Sequence, residues 1–168
     1  MATSNDKITM KGNPLKVMGA PVTVGEKAPN FKLTGVDMQD LELKDFAGKK
    51  LIVCAVPSVD TPVCQTETRA FNEKASVLGD DVEVLFVSMD LPFAQKRWCG
   101  AENLSNIKTA SDFKYRGFGE SYGVYLPDLG LLARAVFVID ASGTVTYVDY
   151  VSEVAEEPNY EAVFSSIA

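Results

Sequence analysis

The chain has 168 residues, 46% of them hydrophobic and 23% charged, which is the size and composition of a globular domain able to build a core without disulfide support. Its formal charge of −7 repels phosphate backbones and excludes nucleic acid as an expected partner, and no run of about 18 apolar residues offers a membrane span. It contains no histidine and only three cysteines, Cys54, Cys64 and Cys99, which excludes imidazole catalysis, histidine metal ligands and a secreted disulfide framework.

The opening stretch MATSNDKITMKGNP lacks a signal peptide's apolar centre, so the expected location is cytoplasmic. Residues 8–24 alternate, with Gly12, Asn13 and Pro14 as punctuation, and predict an N-terminal β-hairpin. A short strand is expected at Phe31 to Leu33. The compact apolar run KKLIVCAVPS, residues 49–58, predicts a buried strand. A helix is expected to start at Thr61 and Pro62, to bury Phe71, Ala75 and Leu78 on one face, and to stop at Gly79.

DVEVLFVSMD, residues 81–90, predicts a second buried strand, and LPFAQKRWCG, residues 91–100, a short helix ended by Gly100. Residues 111–130 carry glycines and tyrosines without clean periodicity and receive no element. ARAVFVID (133–140) predicts a third strand, paired through ASG with TVTYVDY (144–150) as a hairpin. EPNYEAVFSSIA predicts a C-terminal helix with Pro158 near its first turn. The order is β-hairpin, β, α, β, α, β, β, α. It predicts a single α/β domain over 1–168, with a central mixed sheet flanked by helices in a thioredoxin-like order.

The stretch PSVDTPVC carries chemistry. Thr61 suits a helix N-cap, and the residue before a proline is pushed into the extended backbone a cap needs. Pro62 suits the first helical position, where a missing N–H costs nothing. Cys64 then stands third in the helix, beside unpaired N–H groups and the positive end of the helix dipole. Such surroundings favour thiolate over thiol: a free thiol titrates near ~8.5, and helix N-termini or cations bring it to roughly 3.5–7.5. Spacing alone leaves a second reading open, in which Cys64 is an inert small residue of a first turn.

Arg134 interrupts LLARAVFVID, where its neighbours from Leu131 to Ile139 are apolar. A buried guanidinium is costly unless paired, and no acid lies inside the run. The Cys64 thiolate is one candidate partner; an ordinary carboxylate or a solvated strand end are the others. Cys99 follows Lys96, Arg97 and Trp98, 35 residues from Cys64, which is not a CxxC pair. A bond between them needs Cα atoms within about 4.4–6.8 Å, and cysteines on separate helices need local unfolding to meet. Cys54, inside an apolar run, reads as core packing.

Pro57, Thr61 and Cys64 match the Pro-x-x-x-Thr-x-x-Cys pattern, and together with Arg134 they resemble the peroxiredoxin family. KGNP, VGEKAPNF, FAGKK, PSVDTPVC, SMDLPFAQKRWCG and LLARAVFVID resemble, in order, segments of its thiol peroxidase branch, the atypical two-cysteine peroxiredoxins. Pro62 stands where much of that branch has glycine. The resemblance implies a thioredoxin-like fold and a thiol-dependent peroxidase acting on hydrogen peroxide and organic or lipid hydroperoxides. Cys64 would be the peroxidatic cysteine and Cys99 the resolving one, joined after oxidation in an intramolecular Cys64–Cys99 disulfide. Thr61 and Arg134 would bond to the sulfur and the peroxide, and Pro57 would shield the pocket. Thioredoxin would be the reductant and the assembly a homodimer, with no cofactor and no metal.

Overall fold

The computed structural model describes residues 5–167. Met1–Ser4, part of the N-terminal stretch in which no signal peptide is expected, and Ala168, the last residue of the expected C-terminal helix, lie outside the described residues. Two very short strands, β1 (Thr9–Met10) and β2 (Asn13–Pro14), open the chain. They are followed by β3 (Lys32–Gly35), β4 (Asp40–Glu42), a 3-10 turn at Leu43–Phe46, β5 (Lys50–Ala55), α1 (Pro62–Ala75), β6 (Val82–Ser88) and α2 (Pro92–Ala101). The second half holds β7 (Lys108–Ser111), α3 (Gly117–Ser121), β8 (Tyr125–Leu126), β9 (Leu131–Leu132), β10 (Ala135–Ile139), β11 (Val145–Tyr150) and α4 (Tyr160–Ser165).

Seven strands form one mixed sheet in the order β11-β10-β5-β6-β7-β3-β4. The parallel core is β5-β6-β7, with Cys54 opposite Phe86; β10 runs antiparallel to β5, with Val136 opposite Cys54. Strand side chains alternate between faces, so the sheet separates two cores. Leu51, Val53, Ala55, Phe137 and Ile139 point to one, together with Phe118 and Tyr122 of the α3 region. Ile52, Cys54 and Val136 point to the other, under Cys64 and Phe71 of α1, Trp98 of α2 and Val163 of α4. Helix α1 buries Cys64, Glu67, Thr68 and Phe71, the i, i+3, i+4, i+7 stripe of an amphipathic helix. Phe71 anchors it, with ring centroids 5.6 Å from Phe86, 5.6 Å from Tyr160 and 5.3 Å from Phe164.

The expected thioredoxin-like architecture is observed, with several boundaries corrected. The N-terminal hairpin is only 9–14: Lys11 and Gly12 both take positive φ, 51° and 79°, the two-residue turn that closes a tight hairpin, and the chain then leaves the ladder. Helix α1 ends at Ala75 with Ser76 as its cap, so Gly79 (φ 93°) turns the chain into β6 rather than stopping the helix. Helix α2 runs past Gly100 to Ala101, and Asn103 takes the left-handed position (φ 54°) after the Glu102 cap. The third parallel strand is β7, just before the stretch without an assigned element; β10 instead adds an antiparallel edge to the core. Pro158 precedes the α4 cap, Asn159, whose side chain accepts from Ala162 N.

Candidate active site

Strand β5 delivers the chain to one end of the sheet. Pro57 is buried at the start of the loop that follows, and Ser58 to Asp60 turn into α1. Thr61 has the extended backbone of an N-cap, φ −91° and ψ 145°, as the proline after it requires. Its Oγ1 donates to Ser58 O (3.3 Å) and accepts from Cys64 N (3.3 Å). The threonine hydroxyl therefore ties the loop to the first turn and fixes the backbone of Cys64. The Thr68 hydroxyl donates to the Cys64 carbonyl from the next turn.

Cys64 is 1% exposed, and so is Arg134. Arg134 comes from the short link between β9 and β10, on the far side of β5 from β6, and each of its three guanidinium nitrogens donates to a partner. Nη2 donates to Cys64 Sγ at 3.1 Å, Nε donates to Val154 O at 3.0 Å, and Nη1 pairs with Glu67 Oε2. The partner question left by the sequence thus has a double answer, sulfur and carboxylate. A planar guanidinium held by two other acceptors has little freedom left, so its third donor direction is aimed at the sulfur.

Glu67 lies one turn after Cys64 on the same buried stripe and is 0% exposed. Its second oxygen, Oε1, has no hydrogen-bond partner. Burial pushes its carboxyl up from the ordinary 4.5 to about 7, while Arg134 pulls it back down without prevailing. Burial disfavours the charged carboxylate, and the negative charges of Glu157 and Asp149 add in the same direction. Glu67 was missed in the sequence, although the spacing 64, 67, 71 carried the signal: an acid on the apolar face of a helix needs a buried cation.

The sign of the Glu67 effect on stability follows. Between pH ~4.5 and ~7 the folded chain holds a proton that the unfolded chain has released, so this contribution is fully present below the lower value and is lost as pH rises through the upper one. Denaturant unfolding of the parent chain and of Glu67→Gln, at about pH 5 and about pH 7.5, is expected to show the parent losing stability relative to the variant as pH rises. Parallel curves would mean a carboxylate ionised throughout.

The other two cysteines sit differently. Cys54 is fully buried on β5 under α1; burial pushes its thiol well up, and the Glu67 carboxylate adds in the same direction. It packs, as expected from its apolar run, and offers no nucleophile. Cys99 stands in the last turn of α2, half-buried, with Sγ 3.7 Å from Thr109 Oγ1 on β7; burial pushes its thiol up. All three thiols are free. The guanidinium on Cys64 comes from the link just before β10, and Thr109 belongs to β7, with β5 and β6 between those strands. Cys64 and Cys99 are thus held by different partners, and no bond joins them. The structure thus unites Thr61, Cys64 and Arg134, sets Pro57 at the head of their loop, and keeps Cys99 apart.

The Redoxin family model matches residues 23–164. A thiol peroxidase of Halalkalibacterium halodurans is 54% identical over 154 residues, 92% of each chain. This chain belongs to the redoxin family, among its thiol peroxidases. A thiol peroxidase of Listeria monocytogenes is 48% identical over 160 residues, covering 95% of this chain and 96% of that one. The crystal structure of a peroxiredoxin-like protein from Aquifex aeolicus superposes with a TM-score of 0.90 at 44% identity, covering 96% and 95% of the two chains.

Proposed function

We propose that this member of the thiol peroxidases reduces hydroperoxides through Cys64, that Cys99 resolves the product, and that a thioredoxin-type dithiol returns the enzyme to its starting state. The observation that carries the reading is the 3.1 Å contact from Arg134 Nη2 to Cys64 Sγ at the capped start of α1. A donor on sulfur stabilises thiolate relative to thiol, and thiolate is the nucleophile. The Cys64 sulfur attacks the terminal oxygen of ROOH. An S–O bond forms, the O–O bond breaks, and the departing RO⁻ takes a proton to leave as ROH. Charge develops on that leaving oxygen, and the Arg134 fork and the first-turn N–H groups are donors placed before the reaction begins. Thr61 shapes the pocket through the cap, and Pro57 screens it from water.

Cys64 is left as a sulfenic acid, which condenses with a thiol. The Cys99 sulfur attacks Cys64 Sγ, an S–S bond forms, and the sulfenic oxygen leaves as water. Exchange with a dithiol restores both thiols. Because Cys99 starts on Thr109, α2 must give way locally before it can reach Cys64. The chain acts on this reading as one domain over 1–168, in the cytoplasm and as a homodimer. Exposed Leu91 and Phe93 at the start of α2 support an apolar subunit contact there. Among the described residues no helix is long and apolar enough to cross a membrane.

Steady-state peroxide consumption with thioredoxin, its reductase and a nicotinamide reductant tests the reading. The parent chain is expected to turn over many times, and Cys99→Ser to consume one equivalent and then stall as a sulfenic acid. A parent chain that stops after one equivalent would be a stoichiometric redox sensor. A Cys99→Ser variant that cycles at the parent rate would assign resolution to another thiol.

A further inference from the structure

The segment between β6 and α2 carries a carboxylate that the reaction scheme does not use. Asp90 Oδ1 accepts from Ser58 Oγ (2.8 Å), and Oδ2 accepts from Val59 N (2.9 Å) and from Ser88 Oγ (2.6 Å). Ser58 and Val59 form the turn that sets up Thr61: the Ser58 carbonyl accepts from both the backbone N–H and the hydroxyl of Thr61. Asp90 thus grips the loop whose shape places Cys64.

From the same carboxylate a second arm reaches α2. Ser88 Oγ, while donating to Asp90, accepts from Gln95 Nε2 at 3.0 Å, and Gln95 Nε2 also donates to Ala110 O of β7 at 2.9 Å. Gln95 and Ser88 are each 1% exposed. Gln95 lies four residues before Cys99, on the same face of α2. Cys99 cannot leave Thr109 for Cys64 while that face stays docked. The amide of Gln95 is therefore part of what holds the resolving cysteine back.

We propose that Asp90 is a positioning residue for the Cys64 loop, that Gln95 is the latch on α2, and that Ser88 joins them so that release of α2 loosens the loop of the oxidised cysteine. The proposal rests on the peroxidase reading above. In the reduced chain the closed latch keeps the Cys64 pocket in shape for peroxide. After oxidation, undocking α2 removes the Gln95 donor from Ser88, weakens the hold of Asp90 on Ser58 and Val59, and frees the first turn of α1 to meet Cys99. The disulfide step is unchanged in its chemistry: the S–S bond forms and water leaves.

Rapid-quench mass spectrometry of the full-length chain with hydrogen peroxide separates the two steps. Asp90→Asn keeps the shape but loses charge-assisted acceptors, and is expected to slow formation of the Cys64 sulfenic acid about tenfold. Gln95→Met keeps the length and packing without the amide. It is expected to speed formation of the Cys64–Cys99 disulfide about fivefold and, by loosening the loop through Ser88, to slow the first oxidation about threefold. In the double variant, rates should depart about threefold or more from the product of the single effects, as coupled neighbours do. Single variants that react at parent rates, or a double variant that is simply multiplicative, would overturn the proposal alone. A parent chain that forms no disulfide would defeat the peroxidase reading together with it. Hydrogen exchange of the parent chain before and after one equivalent of peroxide decides the matter should a variant misfold: amides of 58–61 and of 92–101 are expected to lose protection together, and loosening of α2 alone would overturn the link.

Discussion

Cys64→Ser is expected to reduce peroxide more slowly than the parent chain by on the order of 10⁴-fold or more, the scale of losing a catalytic nucleophile. A hydroxyl ionises far less readily than a thiol and needs a general base to react. This chain has no histidine to serve as one. The Arg134 donor 3.1 Å from Sγ would still find an oxygen to bond, so the fold should survive and the loss should be chemical. Circular dichroism paired with peroxide consumption checks both halves. A folded serine variant that kept its rate would remove Cys64 from the reaction.

Arg134→Met is expected to act on stability and on rate together. It leaves Glu67 buried, 0% exposed, without its cation, a loss of about 3–5 kcal/mol for a broken buried pair. It also removes the donor on sulfur, which should slow the peroxide step roughly 10²–10³-fold, the cost of one preorganised donor. The two effects can be pulled apart. Replacing both partners by apolar residues of similar volume is often neutral or stabilising, so Arg134→Met with Glu67→Leu should recover most of the stability. It should recover none of the rate. Denaturant midpoints and second-order rates with hydrogen peroxide measure the pair, and a double variant that regained activity would show the guanidinium to be structural only.

The active-site helix was legible because its start is local chemistry. Thr61, Pro62 and Cys64 occupy N-cap, N1 and N3 by their own preferences, and the cap bond to Cys64 N is the one that spacing predicts. Arg134 was legible as an interruption, because a charge amid apolar residues must be paired. Its partners were not, since Glu67 and the Val154 carbonyl reach it through tertiary packing. Strand β7, KTAS, escaped for a related reason. It is central but short and polar, and its burial is made affordable by bonds from elsewhere, such as the one Gln95 gives Ala110 O. The hairpin was read too long because alternation continues past residue 14, while the pairing that would make it a strand does not.

Everything in the mechanism depends on which sulfur meets peroxide and which sulfur it then finds. Peptide mapping by mass spectrometry after one equivalent of hydroperoxide, with free thiols blocked at quench, reads this directly. The expected product is a single intramolecular bond between Cys64 and Cys99, with Cys54 still a thiol. Oxygen retained on Cys99, or a bridge that includes Cys54, would contradict the account.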